Sequence, residues 1–252
     1  MTVQIQHTML PEGDKGFSIK KYTGDAPFDI SPYYEKPFMS LSVCWRGFVA
    51  TFAVKNNRLL LKDLRVFKET ETPRVINGAK PKFVDFFDSK ILSYKNIDLE
   101  LDYTGKMLIT KGDSQLGLHP KFNIASHKNI TELVFSSGVL QEQEDLSELI
   151  EQFRETLYDH AKKECIEENS LKMLSELSSK AISKEKVTAE DKEKMKVFFQ
   201  EAKKLILADK LSEVPKQITN HLFKNFKLKD AEFKEEFNQK FYLNYGYSPY
   251  DW

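Results

Sequence analysis

The sequence predicts an α+β fold, with an antiparallel β-sheet in residues 1–138 and helices over residues 139–252. Two observations carry this expectation. Alternating and β-branched runs dominate as far as Phe135, and from about Gln141 apolar residues recur every three or four positions instead. Strands that precede helices, rather than interleaving with them, select α+β over α/β.

Residues 1–40 are punctuated by Gly13, Gly16, Gly24, Pro27, Pro32 and Pro37, with Phe17, Ile19, Tyr22, Tyr33 and Tyr34 as apolar anchors. They read as an ordered arm laid over a sheet. Ser40–Val54 and Leu59–Val66 are rich in β-branched and aromatic residues, and Lys55–Arg58 between them contains Asn56-Asn57. Asparagine tolerates the positive φ of tight turns, so these two runs predict a β-hairpin. A second hairpin is expected downstream. Ile97, Leu99, Leu101 and Tyr103 alternate with Asp98, Glu100 and Asp102, Thr104-Gly105-Lys106 turns, and Met107–Thr110 returns. Glu132–Phe135 reads as a further strand, and Phe83–Leu92 as a short helix or an edge element.

Leu146, Leu149, Ile150, Phe153, Leu157 and Ala161 then form a helical stripe that predicts an amphipathic helix from about Gln141 to about Cys165. A weaker helix is expected over Leu171–Ile182. Thr188 is placed to cap another, whose stripe is Met195, Phe198, Phe199, Ala202, Leu205 and Ile206. Phe233, Phe237 and Phe241 mark a last helix before an aromatic tail, Tyr245 to Trp252. The expected organisation is a strand-rich domain, 1–138, and a helical subdomain with that tail, 139–252.

The 252 residues balance 38 basic against 38 acidic side chains, so no surplus of cations points to a nucleic-acid partner. Residues 141–170 stand apart, with about ten acids and about three bases. Cys44 and Cys165 are too few for a disulfide framework, which suits a reducing compartment. Met1–Leu10 has neither a basic nor an apolar leader region, and no run approaches the ~18 apolar residues of a membrane span. The expectation is a cytoplasmic protein without a membrane partner.

Trp45-Arg46-Gly47 is the most distinctive local motif. It reads either as a guanidinium set against an indole for an anionic partner, or as a core Trp, an internally paired Arg and a Gly that eases a bulge. The stretch from Cys44 to Val66, CWRGFVATFAVKNNRLLLKDLRV, resembles the Trp-Arg-Gly hairpin of an uncharacterised family of bacterial proteins. Ile91–Ile109 is similar to that family's second sheet region. The resemblance implies no activity.

Other motifs have plainer readings. His119 and His127 lack a cysteine or carboxylate at zinc-ligand spacing. Asp98, Glu100 and Asp102 form a carboxylate row that reads as a solvated strand face rather than a cation site. Gly112–Gly117 lacks the Gly-Lys-Ser/Thr ending of a phosphate loop, and there is no Gly-x-Ser-x-Gly elbow. No catalytic residue, metal ligand or cofactor is therefore expected. The first functional expectation is a non-enzymatic protein-binding module, in its most specific form an immunity or antitoxin-like protein that masks a basic bacterial toxin. Its candidate binding residues are Trp45, Arg46, Glu148, Glu151, Glu155 and Trp252. The alternatives are an unrecognised hydrolase or nucleotide-handling enzyme using Arg46 or the carboxylate row, and a structural protein that assembles through its helices.

Overall fold

The Asn-rich turn does what its sequence predicts. Phe48–Lys55 and Arg58–Val66 pair antiparallel, and Asn56 and Asn57 both take left-handed φ, 50° and 59°. A turn of that hand matches the twist of its strands. The computed structural model describes residues 5–11, 16–34, 44, 46–67, 73–86, 89–112, 124–167, 197, 200–208, 214 and 230–245. Its ten strands are β1 (Thr8–Leu10), β2 (Phe17–Tyr22), β3 (Phe48–Lys55), β4 (Arg58–Val66), β5 (Lys82–Phe86), β6 (Ser89–Tyr94), β7 (Leu99–Glu100), β8 (Gly105–Lys111), β9 (Asn129–Ser136) and β10 (Val139–Asp145).

Hydrogen bonding links them in the order β10-β9-β8-β2-β1-β3-β4, and β10 pairs again with β4 at Val139 and Arg58. Those seven strands close a barrel. Outside the ring, β7 and β6 pair with β4, and β5 pairs with β6. Within the ring β1 lies antiparallel to β2 and parallel to β3.

Strand alternation decides what fills the barrel. Phe48, Ala50, Phe52 and Val54 of β3 belong to its core with Leu59, Leu61, Leu64 and Val66 of β4. The change of parity along β4 is taken up at Lys62, where Thr51 pairs with Asp63 but Phe52 with Leu61. Met9, Phe17, Ile19, Met107, Ile109, Leu133 and Phe135 complete the packing. The loop after β2 contributes as well, through buried Phe28, Ile30 and Tyr34.

The α+β expectation, with helices filling 139–252, is corrected by this closed barrel. Residues 139–145, read as the beginning of a helix, form β10, with Glu142, Glu144 and Asp145 exposed on it. Gln and Glu favour helices weakly, and the hairpin turn at Ser137-Gly138, with φ of 47° and 73°, overrides that preference by folding the segment back along β9. The second expected hairpin does not form either. β7 pairs with β4, while β8 runs between β2 and β9. Met107, Leu108, Ile109 and Thr110 of β8 are all buried, as suits a strand covered on both faces. Phe83–Leu92 is the edge element, as β5 and most of β6.

The chain divides into two units, residues 1–111 with 129–146, and residues 112–128 with 147–252. The first is the barrel. In the second, α1 (Ser147–Glu167) buries Leu149, Ile150, Phe153, Leu157 and Ala161, the stripe its periodicity predicts. Residues 200–207 are helical, and α2 (Ala231–Phe237) continues through a π-helical stretch, Asn238–Tyr242, into Leu243–Tyr245. Asp230 caps α2, its Oδ1 accepting from the Phe233 N–H at 2.8 Å. Ring centroids of Phe153 and Phe237 lie 4.5 Å apart, and those of Phe237 and Phe241 4.8 Å apart. The four-residue Phe spacing thus builds a cluster between α1 and α2. The expected helix over Leu171–Ile182, the Thr188 cap and the aromatic residues of the tail beyond Tyr245 lie outside the described residues. Among the described residues no helix is long and apolar enough to cross a membrane.

Gly138 makes a sharp test of barrel closure. A methyl group at its Cα would overlap the Leu101 carbonyl oxygen, and its φ is +73°, whereas Gly78, with φ of +78°, has nothing within 4 Å. Gly78→Ala is expected to cost only left-handed strain, about 1–2 kcal/mol. Gly138→Ala adds the overlap and should lose more than about 3 kcal/mol in chemical denaturation. Equal losses for the two variants would mean that the turn beside Leu101 has room to spare.

Candidate ligand-binding site

Where β1 and β3 begin and β2 ends, the barrel opens into a cavity of about 590 Å³. Its walls come from the approach to β1 (His7), the end of β2 (Tyr22), the following loop (Asp25 to Ile30) and the start of β3 (Arg46, Phe48, Phe52). The parallel pairing of β1 with β3 brings His7 beside residues far along the chain.

Arg46 is anchored by backbone. Its Nε donates to the Phe48 carbonyl at 3.1 Å and its Nη2 to the Ile5 carbonyl, so one guanidinium ties the approach to β1 to the start of β3. It forms no ion pair with a carboxylate among the described residues. Burial pulls its pKa below the usual arginine range, with Cys44 and Tyr22 opposing the shift. Arginine stays charged regardless, so the half-buried guanidinium is a cation that no carboxylate contacts among the described residues, although Asp25 and Asp29 line the same cavity.

His7 stands next to it as a neutral donor. Its Nδ1 accepts the Ala50 N–H at 3.0 Å, which leaves the ring proton on Nε2. Burial, reinforced by the Arg46 charge, lowers its pKa to about 3. The ring is held by Phe48 at 5.3 Å and edge-on by Phe52 at 5.8 Å, and Phe28 meets Phe48 edge-on at 6.1 Å. The cavity therefore combines a fixed cation, two carboxylates at its exposed side, a histidine ring and aromatic walls.

The other residues singled out by sequence fall elsewhere or outside view. Trp45 and Trp252 lie outside the described residues, so the indole half of the Trp-Arg reading has no geometry. Glu148, Glu151 and Glu155 are exposed on α1. Glu151 accepts from Arg154 Nε at 3.1 Å and from its Nη2, and Arg154 Nη1 donates to the carbonyls of Ala125 and His127. Its charge is spent on fastening the 124–127 turn to α1. Asp98, Glu100 and Asp102 are all exposed, but only Glu100 lies in a strand, since Asp98 takes a left-handed φ of 47°. His119 lies outside the described residues; His127 is buried, and its carbonyl serves Arg154. Among the described residues no three His, Cys, Asp or Glu groups gather as metal ligands.

Of these lining residues the sequence marks Arg46 as a binding candidate and Tyr22 as an apolar anchor, but gives no sign of a site at His7, Phe28 or Phe48. The only sequence signal for them was the aromatic content of the first 50 residues. Comparison of the chain with protein families, with curated proteins and with solved structures finds no match in any of the three. The resemblance to a Trp-Arg-Gly family rests on the quoted residues alone.

The His7 environment sets a pH dependence. Its pKa, 6.5 when unfolded, is lowered to about 3 in the fold, so between these values the unfolded chain binds the extra proton. The contribution of His7 to stability is whole above pH 6.5 and falls as pH drops towards 3. Urea midpoints measured from pH 7 to pH 4 should decline less steeply in His7→Asn, whose amide oxygen can still accept the Ala50 N–H. Identical slopes for variant and parent would contradict the neutral assignment.

Proposed function

We propose that this chain is a non-enzymatic binding protein whose barrel pocket receives the anionic head of a small ligand with a flat apolar body. The observation that carries the reading is Arg46, half-buried, fixed through two backbone carbonyls and lacking a carboxylate partner among the described residues. Partial burial of a charge that neutral carbonyls alone contact among the described residues is costly, and an entering anion relieves that cost with charge-assisted hydrogen bonds. His7 is among the lining residues and can add a neutral one, and half-buried Phe48, backed by buried Phe28 and Phe52, offers aromatic surface to the rest of the molecule. Binding is favoured over catalysis because a histidine with a pKa of about 3 and an occupied Nδ1 is a poor proton acceptor at neutral pH.

Anilinonaphthalene sulfonate, a flat fluorescent anion, suits the test. It should bind the folded protein saturably and be displaced by benzoate. Arg46→Gln should weaken it about 10- to 100-fold, the worth of a charge-assisted hydrogen bond of roughly 1.5–3 kcal/mol. That variant also gives up the bonds to the Phe48 and Ile5 carbonyls, so its melting temperature should fall by several degrees, and affinities are compared at a temperature where circular dichroism shows both proteins folded. Equal affinity in parent and variant would remove the reading.

A second reading, a basic macromolecular partner of the kind an immunity protein masks, draws on α1. Glu148, Glu155 and Asp159 are exposed at helical spacing and, unlike Glu151, form no ion pair among the described residues. Such charge acts mainly on association rate. Against a basic partner, reversing these three to Lys while sparing Glu151 should slow association and flatten its salt dependence. An unchanged rate at low and high salt would mark the stripe as ordinary solvated surface.

A further inference from the structure

We infer that the pocket selects a zwitterion, with its carboxylate directed inward to Arg46 and its ammonium outward to Asp25 and Asp29. The inference rests on the anion-pocket reading and deepens it by naming the ligand class. Three charged side chains line this one cavity, a half-buried cation and two exposed carboxylates. No ion pair joins Arg46 to Asp25 or to Asp29. Opposite charges that share a cavity ordinarily collapse together. Here each end is restrained, so the cavity keeps a positive inner end and a negative rim.

The restraints are visible on both sides. Arg46 is tied to the Phe48 and Ile5 carbonyls. Asp29 is fixed by Ser31, whose N–H donates to Oδ1 at 2.9 Å and whose Oγ donates to Oδ2 at 2.6 Å. These bonds hold the Asp29 carboxyl below its usual pKa, so it is ionised at neutral pH, and its remaining lone pairs are open to a donor. The loop itself cannot swing freely, because Phe28 and Ile30 on either side of Asp29 are buried in the barrel core.

Charge counting narrows the class further. One cation against two carboxylates leaves the lining net negative, which disfavours dianions such as phosphate monoesters and dicarboxylates. A molecule with one carboxylate, one ammonium and an apolar spacer satisfies both ends and lies against Phe28 and Phe48. Amino acids with an aromatic or extended apolar body are members of this class.

Calorimetric titration of the full chain with benzoate and with 4-(aminomethyl)benzoate, at one ionic strength, tests the assignment. The zwitterion should bind about tenfold tighter than benzoate. In the double variant Asp25→Asn, Asp29→Asn that preference should vanish while benzoate affinity is kept or improved. Both substitutions lie on exposed positions, and the amide introduced by Asp29→Asn retains an acceptor for Ser31, so the melting temperature should hold. If benzoate binds as tightly as the zwitterion to the parent, the zwitterion assignment fails and the anion pocket stands. If neither compound binds, both readings fail together.

Discussion

A sheet that closes on itself must bring its first and last strands into register, and here two tight turns laid side by side hold that register. The Asn57 carbonyl accepts from the Leu140 N–H, and the Gly138 carbonyl from the Leu59 N–H, each at 2.8 Å. Between them Val139 faces Arg58, the only residue pair joining β10 to β4. Both turns need consecutive left-handed residues, supplied by Asn56-Asn57 and Ser137-Gly138. Beyond this seam the edge of β4 passes to β7 at Leu60–Leu61 and to β6 at Leu64–Val66. One nine-residue strand thus serves as closing stave and as root of the extra strands. Closure removes open edges from the ring, and a packed interior follows because each stave turns one face inward.

The second organising device is β1, three residues long and parallel to β3. Met9 sits fully buried at its centre, pairing with Phe17 on one side and Phe52 on the other. This short strand sets the beginnings of β1 and β3 side by side, so that one guanidinium can reach carbonyls from both. The pocket is a product of that arrangement more than of any local motif.

Local signals in the sequence were legible where neighbours in the chain are neighbours in space. The Asn-Asn turn, the apolar stripe of α1 and the four-residue Phe spacing each depend on contacts a few residues apart. The barrel depends on distant ones. Arg58 Nη1 donates to the Ser137 carbonyl across 79 positions, and Ala50 to His7 across 43. No periodicity encodes such pairings. The acid-rich β10 has a composition that fits a helix, and only its pairing with β9 settles otherwise. Arg46 was visible through its unusual neighbours, while His7 acquires its meaning only from the parallel strand that follows it.

Because β1 is three residues long, its attachment to the ring rests on few backbone bonds. Local opening of such an element detaches Ile5 and His7 together, releasing one anchor of Arg46 and the acceptor of the Ala50 N–H. On the anion-pocket proposal, occupancy of the cavity and the fraying of the first strand would be coupled. An anion bound at Arg46, as proposed above, would hold β1 down by an amount that grows with its concentration relative to its dissociation constant. In amide hydrogen exchange that coupling would fall on the backbone of Met9 and Ala50, which would make the strand a built-in reporter of an occupant of the pocket.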